Sequence, residues 1–166
     1  MLIRPASSDD FDAMRPIFDA VVAVGDSYVF EEGTSPEDAR AYWFSPGIAS
    51  FLAVDGGQVL GMYKLVANQR GRGSHVANAS FMVGPQAHGK GIGRAMGLHA
   101  LAEARKAGFL AMQFNFVVST NTAAVALWQQ LGFAIVGTLP GAFRHRELGW
   151  VDAYVMYRKL DPAEST

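Results

Sequence analysis

Residues Val83 to Arg94 contain three glycines at every second position, Gly89, Gly91 and Gly93, between an apolar run and a helical pattern. Glycines at this spacing let consecutive backbone N–H groups turn toward one anion. The helix that starts here adds unpaired N–H groups and a positive dipole end. The segment therefore predicts a loop that binds a phosphorylated ligand.

This segment departs from two common phosphate-binding motifs. In G-x-x-x-x-G-K-S/T, which Gly84, Gly89 and Lys90 begin to match, Gly91 stands where the magnesium-binding hydroxyl is required. In the dinucleotide motif G-x-G-x-x-G the third glycine falls on Arg94, and no early strand–turn–helix unit surrounds it. Neither an NTPase nor a dinucleotide-binding domain is indicated. A glycine-rich turn before a helix is the simpler alternative.

Gln86, Gly89 and Gly91 match Q/R-x-x-G-x-G/A, the signature of the GNAT N-acetyltransferases, which this chain resembles. A second segment, Asn121 to Phe133, resembles the family's N-x-x-A/S-x-x-L/F-Y/W-x-x-x-G-F. The two motifs span about a third of the chain, at the separation found in the family. The resemblance implies an acetyl-CoA-dependent N-acetyltransferase whose glycine loop holds the pyrophosphate of coenzyme A without a metal.

The resemblance also implies which residues bind the coenzyme. In the family the strand before the loop pairs with the pantetheine arm as an added strand. The asparagine that begins the second motif faces the same arm, and it can also cap a helix. The expected coenzyme-binding residues are Phe81, Met82, Val83, His88, Gly89, Lys90, Gly91, Ile92, Gly93 and Asn121.

Asparagines in two apolar strands are candidates for the transfer chemistry. Alternation places Asn78 with Ser80 and Met82 on one face of a strand, and Asn115 with Gln113 and Val117 on one face of the next. An unpaired buried amide costs about 1 to 3 kcal/mol, so each needs a partner, and a backbone group or water is the alternative to a substrate.

Many relatives have a glutamate near Asn78 that acts as the general base. An amide cannot take a proton at neutral pH, so Asn78 can only orient or polarise a reacting group. His145 lies before the last strand and could supply a base, with a solvated loop as the alternative. The candidate catalytic residues are Asn78, Phe81, Asn115 and His145.

Trp128 stands where many relatives have a tyrosine that is proposed to protonate the departing thiolate. The indole N–H donates a hydrogen bond but is not a useful acid, so we expect a packing role. The asparagine motifs and Trp128 look like the fungal azetidine-2-carboxylate branch, which acetylates proline-like imino acids. The expected acceptor is a small amine or amino or imino acid that attacks directly. The alternative is a non-catalytic acyl-CoA sensor or partner-binding module.

Composition limits the remaining classes of function. The 166 residues show no shift in composition, which predicts a single domain over 1–166. A net charge of −1 gives no signal for nucleic acid or an anionic membrane, and the lack of cysteine removes thiolate nucleophiles and sulfur-ligated metals. The histidines lack metal-ligand spacing, so no metal is expected. No signal-like or membrane-spanning stretch is present, which predicts a cytoplasmic protein; relatives are often homodimers.

The elements that must position these residues form an expected α/β (α+β) fold. The resemblance implies a mixed sheet of about seven strands, splayed between the fourth and fifth, with about four flanking helices. Strands are predicted at 2–4, 51–54, 58–66, 76–83, 109–118, 133–136 and 151–160. Helices are predicted to start at Ser7 or Ser8, at Ser35, near Gly91 and near Asn121.

Overall fold

The computed structural model describes residues 1–161, whose eleven main elements follow the predicted order. The strands are β1 (Leu2–Pro5), β2 (Ala49–Asp55), β3 (Gln58–Ala67), β4 (Val76–Val83), β5 (Ala111–Val118), β6 (Ala134–His145) and β7 (Gly149–Lys159). The helices are α1 (Phe11–Val24), α2 (Pro36–Phe44), α3 (Ile92–Lys106) and α4 (Thr122–Gln130).

All seven strands form one mixed sheet in the order β1-β2-β3-β4-β5-β7-β6. As predicted, β2, β3 and β4 are antiparallel, and β5 runs parallel to β4 after the α3 crossover. A parallel neighbour needs a long crossover, and α3 provides it directly after the glycine loop. The loop therefore lies at the end of β4, beside the only parallel strand pair among residues 1–161.

The side chains of β4 alternate between two hydrophobic clusters, one on each face of the sheet. Ala77, Ala79 and Phe81 pack on the side of α3 and α4. Met82 packs on the opposite side with residues of α1 and α2. The predicted alternation of β4 is therefore confirmed, and the two faces of this strand contact different sets of side chains.

The end of the chain differs from the prediction, because β6 extends to His145 instead of ending at Val136. Most of its residues are exposed on the sheet edge, so the strand lacks the apolar alternation that would reveal it. Pro140 and Gly141 interrupt the pattern further, and the pairing with β7 shifts register between Leu139 and Phe143. Edge strands tolerate such residues at irregularities. The predicted loop before the last strand is therefore mostly a strand.

Candidate active site

The strands β4 and β5 separate soon after they meet. Backbone pairing is limited to Val76 with Ala111 and Ala77 with Met112. At the next position the Asn78 side chain replaces the backbone, and its Nδ2 donates to the carbonyl oxygen of Gln113 at 2.9 Å. The predicted splay is present, and Asn78 bridges the two strands where it begins.

A cavity of about 290 Å³ lies at this splay. Its walls come from α2 and the segment before it, from β3, β4 and β5, and from α4, so residues on both faces of the sheet line it. Small-molecule sites commonly have volumes of about 300 to 1,000 Å³, which places this cavity at the small end of the range. Asn78, Phe81, Asn115 and Asn121 all line it, so the structure brings these four sequence-predicted residues together.

The backbone of Phe81 points into the splay. Leu110 donates to the carbonyl oxygen of His75 at 2.9 Å, whereas Gly84 donates to Leu60 of β3 at 2.8 Å. Because backbone groups alternate in direction along a strand, the odd-numbered residues of β4 face β5. Phe81 and Val83 therefore turn their N–H and C=O groups toward the gap, and Met82 turns its groups toward β3.

The hydroxyl of Tyr28, in the segment between α1 and α2, occupies the groups that Phe81 presents. It accepts from the Phe81 N–H at 2.9 Å and donates to the Phe81 carbonyl oxygen at 2.5 Å. Burial of this side chain raises the pKa of Tyr28 well above its usual value, and the nearby Tyr42 adds to the shift. The hydroxyl is therefore a neutral group that both donates and accepts.

Aromatic rings form the wall of the cavity on the side of α4. The ring centroid of Trp128 lies 4.8 Å from that of Phe81 and 4.7 Å from that of Phe114, and Phe114 stacks on Phe133 at 4.3 Å. Trp128 is only 7% exposed. The expected packing of Trp128 is confirmed, although its ring also lines the cavity.

Lys64 brings a positive charge to the opposite wall. It lies on β3 across from Ser80 of β4, and its side chain is 8% exposed. Its Nζ donates to the carbonyl oxygen of Tyr42 at 2.9 Å and lies 3.3 Å from the centroid of the Tyr42 ring. Burial lowers the pKa of Lys64 from 10.5 to about 8. Burial also raises the pKa of Tyr42 to about 12.

The glycine loop has left-handed backbone angles at two of its glycines. Gly89 and Gly91 have φ angles of +73° and +76°, and no other heavy atom lies within 4 Å of a Cβ built at either position. The first bond of α3 runs from the Ala95 N–H to the Gly91 carbonyl oxygen at 3.0 Å. The N–H groups of residues 92–94 consequently have no partner within the helix. An anion has both space and donors at this end of β4.

Two of the expected coenzyme-binding residues, His88 and Asn121, form hydrogen bonds within the chain. The His88 N–H points to the Pro85 carbonyl oxygen at 3.4 Å, and its ring Nε2 lies 3.1 Å from the Val83 carbonyl oxygen. The side chain of Lys90 is exposed. Asn121 caps α4, because its Oδ1 accepts from the Ala124 N–H at 3.3 Å, and it also lines the cavity.

Asn115 differs from the expectation of a buried amide. It is exposed, and its Nδ2 donates to the Asn68 side chain at 2.7 Å while its Oδ1 accepts from Gln113 at 2.9 Å. The predicted shared face with Val117 is wrong, because the pairing of β5 with β7 shifts register between Phe114 and Val117 and Val117 is buried in the core. An irregularity of this kind interrupts the alternation of side chains.

His145 is not brought to the cavity. It ends β6 at the turn to β7, where its Nδ1 accepts from the N–H groups of Glu147 at 3.1 Å and Leu148 at 3.2 Å. Tyr28 and Lys64, which do line the cavity, were missed by the sequence analysis. A lysine within the apolar run of β3 was an available signal, whereas nothing in the sequence links Tyr28 to β4.

Across residues 1–161 no cluster of three or more His, Asp or Glu side chains could hold a metal ion. None of the helices described in that range has the length and apolar character that a membrane span requires.

Comparison with known proteins gives a family match over most of the chain. The model of the acetyltransferase (GNAT) family matches residues 18–133. N-acetyltransferase aca1 from Schizosaccharomyces pombe is 38% identical over 98 residues, which are 58% of this chain and 47% of that protein. The chain thus spans about half the length of this curated relative.

Solved structures resemble the chain over nearly all its length. A GCN5-related N-acetyltransferase from Kribbella flavida is 43% identical, with a TM-score of 0.91 over 96% of this chain and 97% of that one. YncA from Salmonella typhimurium, solved with acetyl-CoA as its cofactor, is 25% identical, with a TM-score of 0.85 over 97% of this chain and 94% of that one. The predicted fold is confirmed by these likenesses.

Proposed function

The chain belongs to the acetyltransferase (GNAT) family, and on that premise we propose that it transfers an acetyl group from acetyl-CoA to the nitrogen of a small amine or amino or imino acid. The observation that carries this proposal is the separation of β4 from β5 directly before a glycine loop, after which the first N–H groups of α3 have no partner within the helix. One end of the site fits a phosphate, and the other end is a small cavity.

The residues that would hold acetyl-CoA lie along β4 and the loop after it. N–H groups between Gly89 and Gly93 would bind the pyrophosphate, because helix N-termini favour negative charge. The carbonyl oxygen of Phe81 and the N–H of Val83 would pair with the amides of the pantetheine arm as an added strand does. Asn121 would contact the same arm from the start of α4. Acetyl-CoA would supply the acetyl group as an activated thioester: the amine nitrogen would bond to the acetyl carbon, the C–S bond would break, and the thiolate of coenzyme A would leave, with solvent taking the proton from the nitrogen and protonating the thiolate.

The transfer depends on positioning by these residues. The N–H of Phe81 would donate to the acetyl oxygen, where negative charge develops, and one such preorganised donor is worth about 10² to 10³ in rate. Alignment of the two reactants can contribute about 7 to 11 kcal/mol. Asn78 would orient the acceptor, since it lines the cavity and its Nδ2 is fixed on the Gln113 carbonyl.

A second candidate is a non-catalytic acyl-CoA sensor or partner-binding module. Two observations favour it: Trp128 replaces the usual acid, and Asn78 cannot act as a base. Such a protein would bind acetyl-CoA through the same loop but would lack turnover.

The test measures release of free coenzyme A from acetyl-CoA in the presence of azetidine-2-carboxylate, proline, ordinary amino acids and polyamines. Turnover that depends on both substrates supports the transferase. Tight binding of acetyl-CoA by calorimetry, with no turnover on the whole panel, supports the sensor instead. Failure to bind coenzyme A at all contradicts both.

A further inference from the structure

Lys64 is the single charged residue among the described residues that line the cavity. It stands in the middle of β3, on the face that it shares with Ser80 of β4, and it is 8% exposed. A lysine at such a position is unusual, because the ammonium group is strongly hydrated and is rarely fully buried without a partner. The position therefore calls for a functional explanation.

No carboxylate within residues 1–161 neutralises this charge. None of the ion pairs in that range includes Lys64, and no aspartate or glutamate lines the cavity. The Nζ has one carbonyl acceptor, on Tyr42, and lies against the ring of the same residue. An ammonium has three donors, so these contacts leave it with donor capacity and an uncompensated charge facing the cavity.

Three kinds of acceptor, namely a polyamine, a peptide N-terminus and a free amino or imino acid, would interact differently with the charge of Lys64. A polyamine would bring a second cation into a small cavity and would be repelled. A peptide N-terminus carries an amide next to its amine and offers no counter-charge. A free amino or imino acid carries a carboxylate one carbon from its nitrogen, so binding that carboxylate also fixes the nitrogen that must react.

We propose that Lys64 binds the carboxylate of the acceptor and so restricts the enzyme to free amino or imino acids. This inference rests on the proposed acetyltransferase function. The volume of about 290 Å³ suits a molecule of that size. Asn78 and Ser80 line the same cavity and carry further hydrogen-bonding groups.

The charge of Lys64 also aids the reaction. An amine attacks only in its neutral form, and a neighbouring cation disfavours the protonated form of the amine. A single lysine thus pairs with the carboxylate and lowers the pKa of the acceptor nitrogen.

The experiment compares matched acceptors in the wild type, Lys64→Met and Lys64→Arg. Each amino or imino acid of the panel is paired with its own carboxamide, for example proline with prolinamide. The wild type is expected to prefer the acid by about 10- to 100-fold in kcat/KM, the range of a charge-assisted hydrogen bond. Lys64→Met should remove this preference, mainly through KM, while Lys64→Arg should retain part of it. Coenzyme A affinity and the circular dichroism spectrum serve as controls for folding.

Equal kcat/KM for acid and amide in the wild type would overturn the inference and leave the transferase intact. Retention of the full preference for the acid in Lys64→Met, with kcat/KM lowered equally for acid and amide, would also overturn it, because the lysine would then act only on the reaction and not on the carboxylate. If the wild type turns over no acceptor, the proposed function fails. Calorimetric titration of proline into wild type and Lys64→Met then decides the carboxylate site, with lysine-dependent binding supporting it and equal or absent binding overturning it.

Discussion

The hydroxyl of Tyr28 is bound to both the N–H and the carbonyl oxygen of Phe81, at 2.9 Å and 2.5 Å. These are the backbone groups at the splay that we propose for acetyl-CoA. Tyr28 lies in the segment between α1 and α2, outside β4 and the glycine loop. It nevertheless binds the Phe81 backbone groups that we propose for acetyl-CoA. Acetyl-CoA and the Tyr28 hydroxyl would therefore compete for the same partners.

Replacing Tyr28 with phenylalanine should strengthen acetyl-CoA binding. The change removes two hydrogen bonds that binding must break, each worth about 0.5 to 1.5 kcal/mol, so we expect an affinity gain of about 5- to 150-fold. Calorimetric titration of acetyl-CoA measures it. Tyr42→Phe is the control, because Tyr42 also lines the cavity, whereas the side-chain hydroxyl bound to the Phe81 backbone is that of Tyr28. Weaker binding by Tyr28→Phe would mean that the hydroxyl contacts the coenzyme instead of competing with it.

Replacing Gly91 with alanine should weaken coenzyme A binding. The φ of +76° costs an L-residue about 1 to 2 kcal/mol, although a Cβ there meets no other atom of the chain. Relaxation of that strain turns the loop N–H groups away from their common centre. Gly93→Ala is the matched control, since its φ is ordinary and its Cβ would lie 3.5 Å from Leu127. Equal affinities for the two variants, measured by titration, would contradict the proposal that the N–H groups of the glycine loop bind the pyrophosphate.

The coenzyme half of the candidate site could be predicted from the sequence because its signals are local. The glycine spacing, the cap at Asn121 and the alternation of β4 each lie within a few neighbouring residues, and backbone geometry follows directly from them. The same holds for most of the strands and helices. The exception is β6, where an exposed edge strand with Pro140 has no alternation to read.

The acceptor half could not be predicted because distant segments assemble it. Tyr28 and Phe81 lie 53 positions apart, and Lys64 and Tyr42 lie 22 apart. No local pattern encodes such contacts, which depend on how α2 and the segment before it pack against the sheet. The expected site for His145 illustrates the same limit, since a longer β6 places that residue at a hairpin turn.

Replacing Asn78 with alanine separates orientation from stability. Loss of its bond leaves the Gln113 carbonyl unpaired at the start of the splay, which should lower the unfolding free energy by about 1 to 2 kcal/mol. If the amide also orients the acceptor, kcat/KM should fall by about 10²-fold while coenzyme A binding persists. Gln113→Ala keeps the carbonyl and serves as control. A lower melting temperature with unchanged kcat/KM would limit Asn78 to a structural role.

Replacing Trp128 with phenylalanine should cost stability without changing the pH dependence of turnover. The smaller ring loses contact with Phe81 and Phe114, and we expect a loss of about 1 to 2 kcal/mol in unfolding free energy. Trp43→Phe is a control of similar burial in the cluster on the other face. The pH profile of kcat should keep its shape, because the indole is not an acid. A lost alkaline limb in Trp128→Phe alone would show that the tryptophan takes part in proton transfer.

Lys64 should make stability rise with pH in a defined window. Burial lowers its pKa from 10.5 to about 8 in the folded protein, so between these values the unfolded chain binds more protons than the folded one. The unfolding free energy therefore increases as the pH rises from about 8 toward 10.5. Below that window Lys64 is charged in both states, so it adds no pH dependence to stability. Urea unfolding of wild type and Lys64→Met across this range isolates the effect, because the tyrosines of the unfolded chain titrate alike in both proteins and burial keeps Tyr28 and Tyr42 neutral in the folded protein. The wild type should gain stability relative to Lys64→Met with increasing pH. A difference that stays flat would show that the ammonium is as well accommodated in the cavity as in water, and the charge of Lys64 would then need no carboxylate to compensate it.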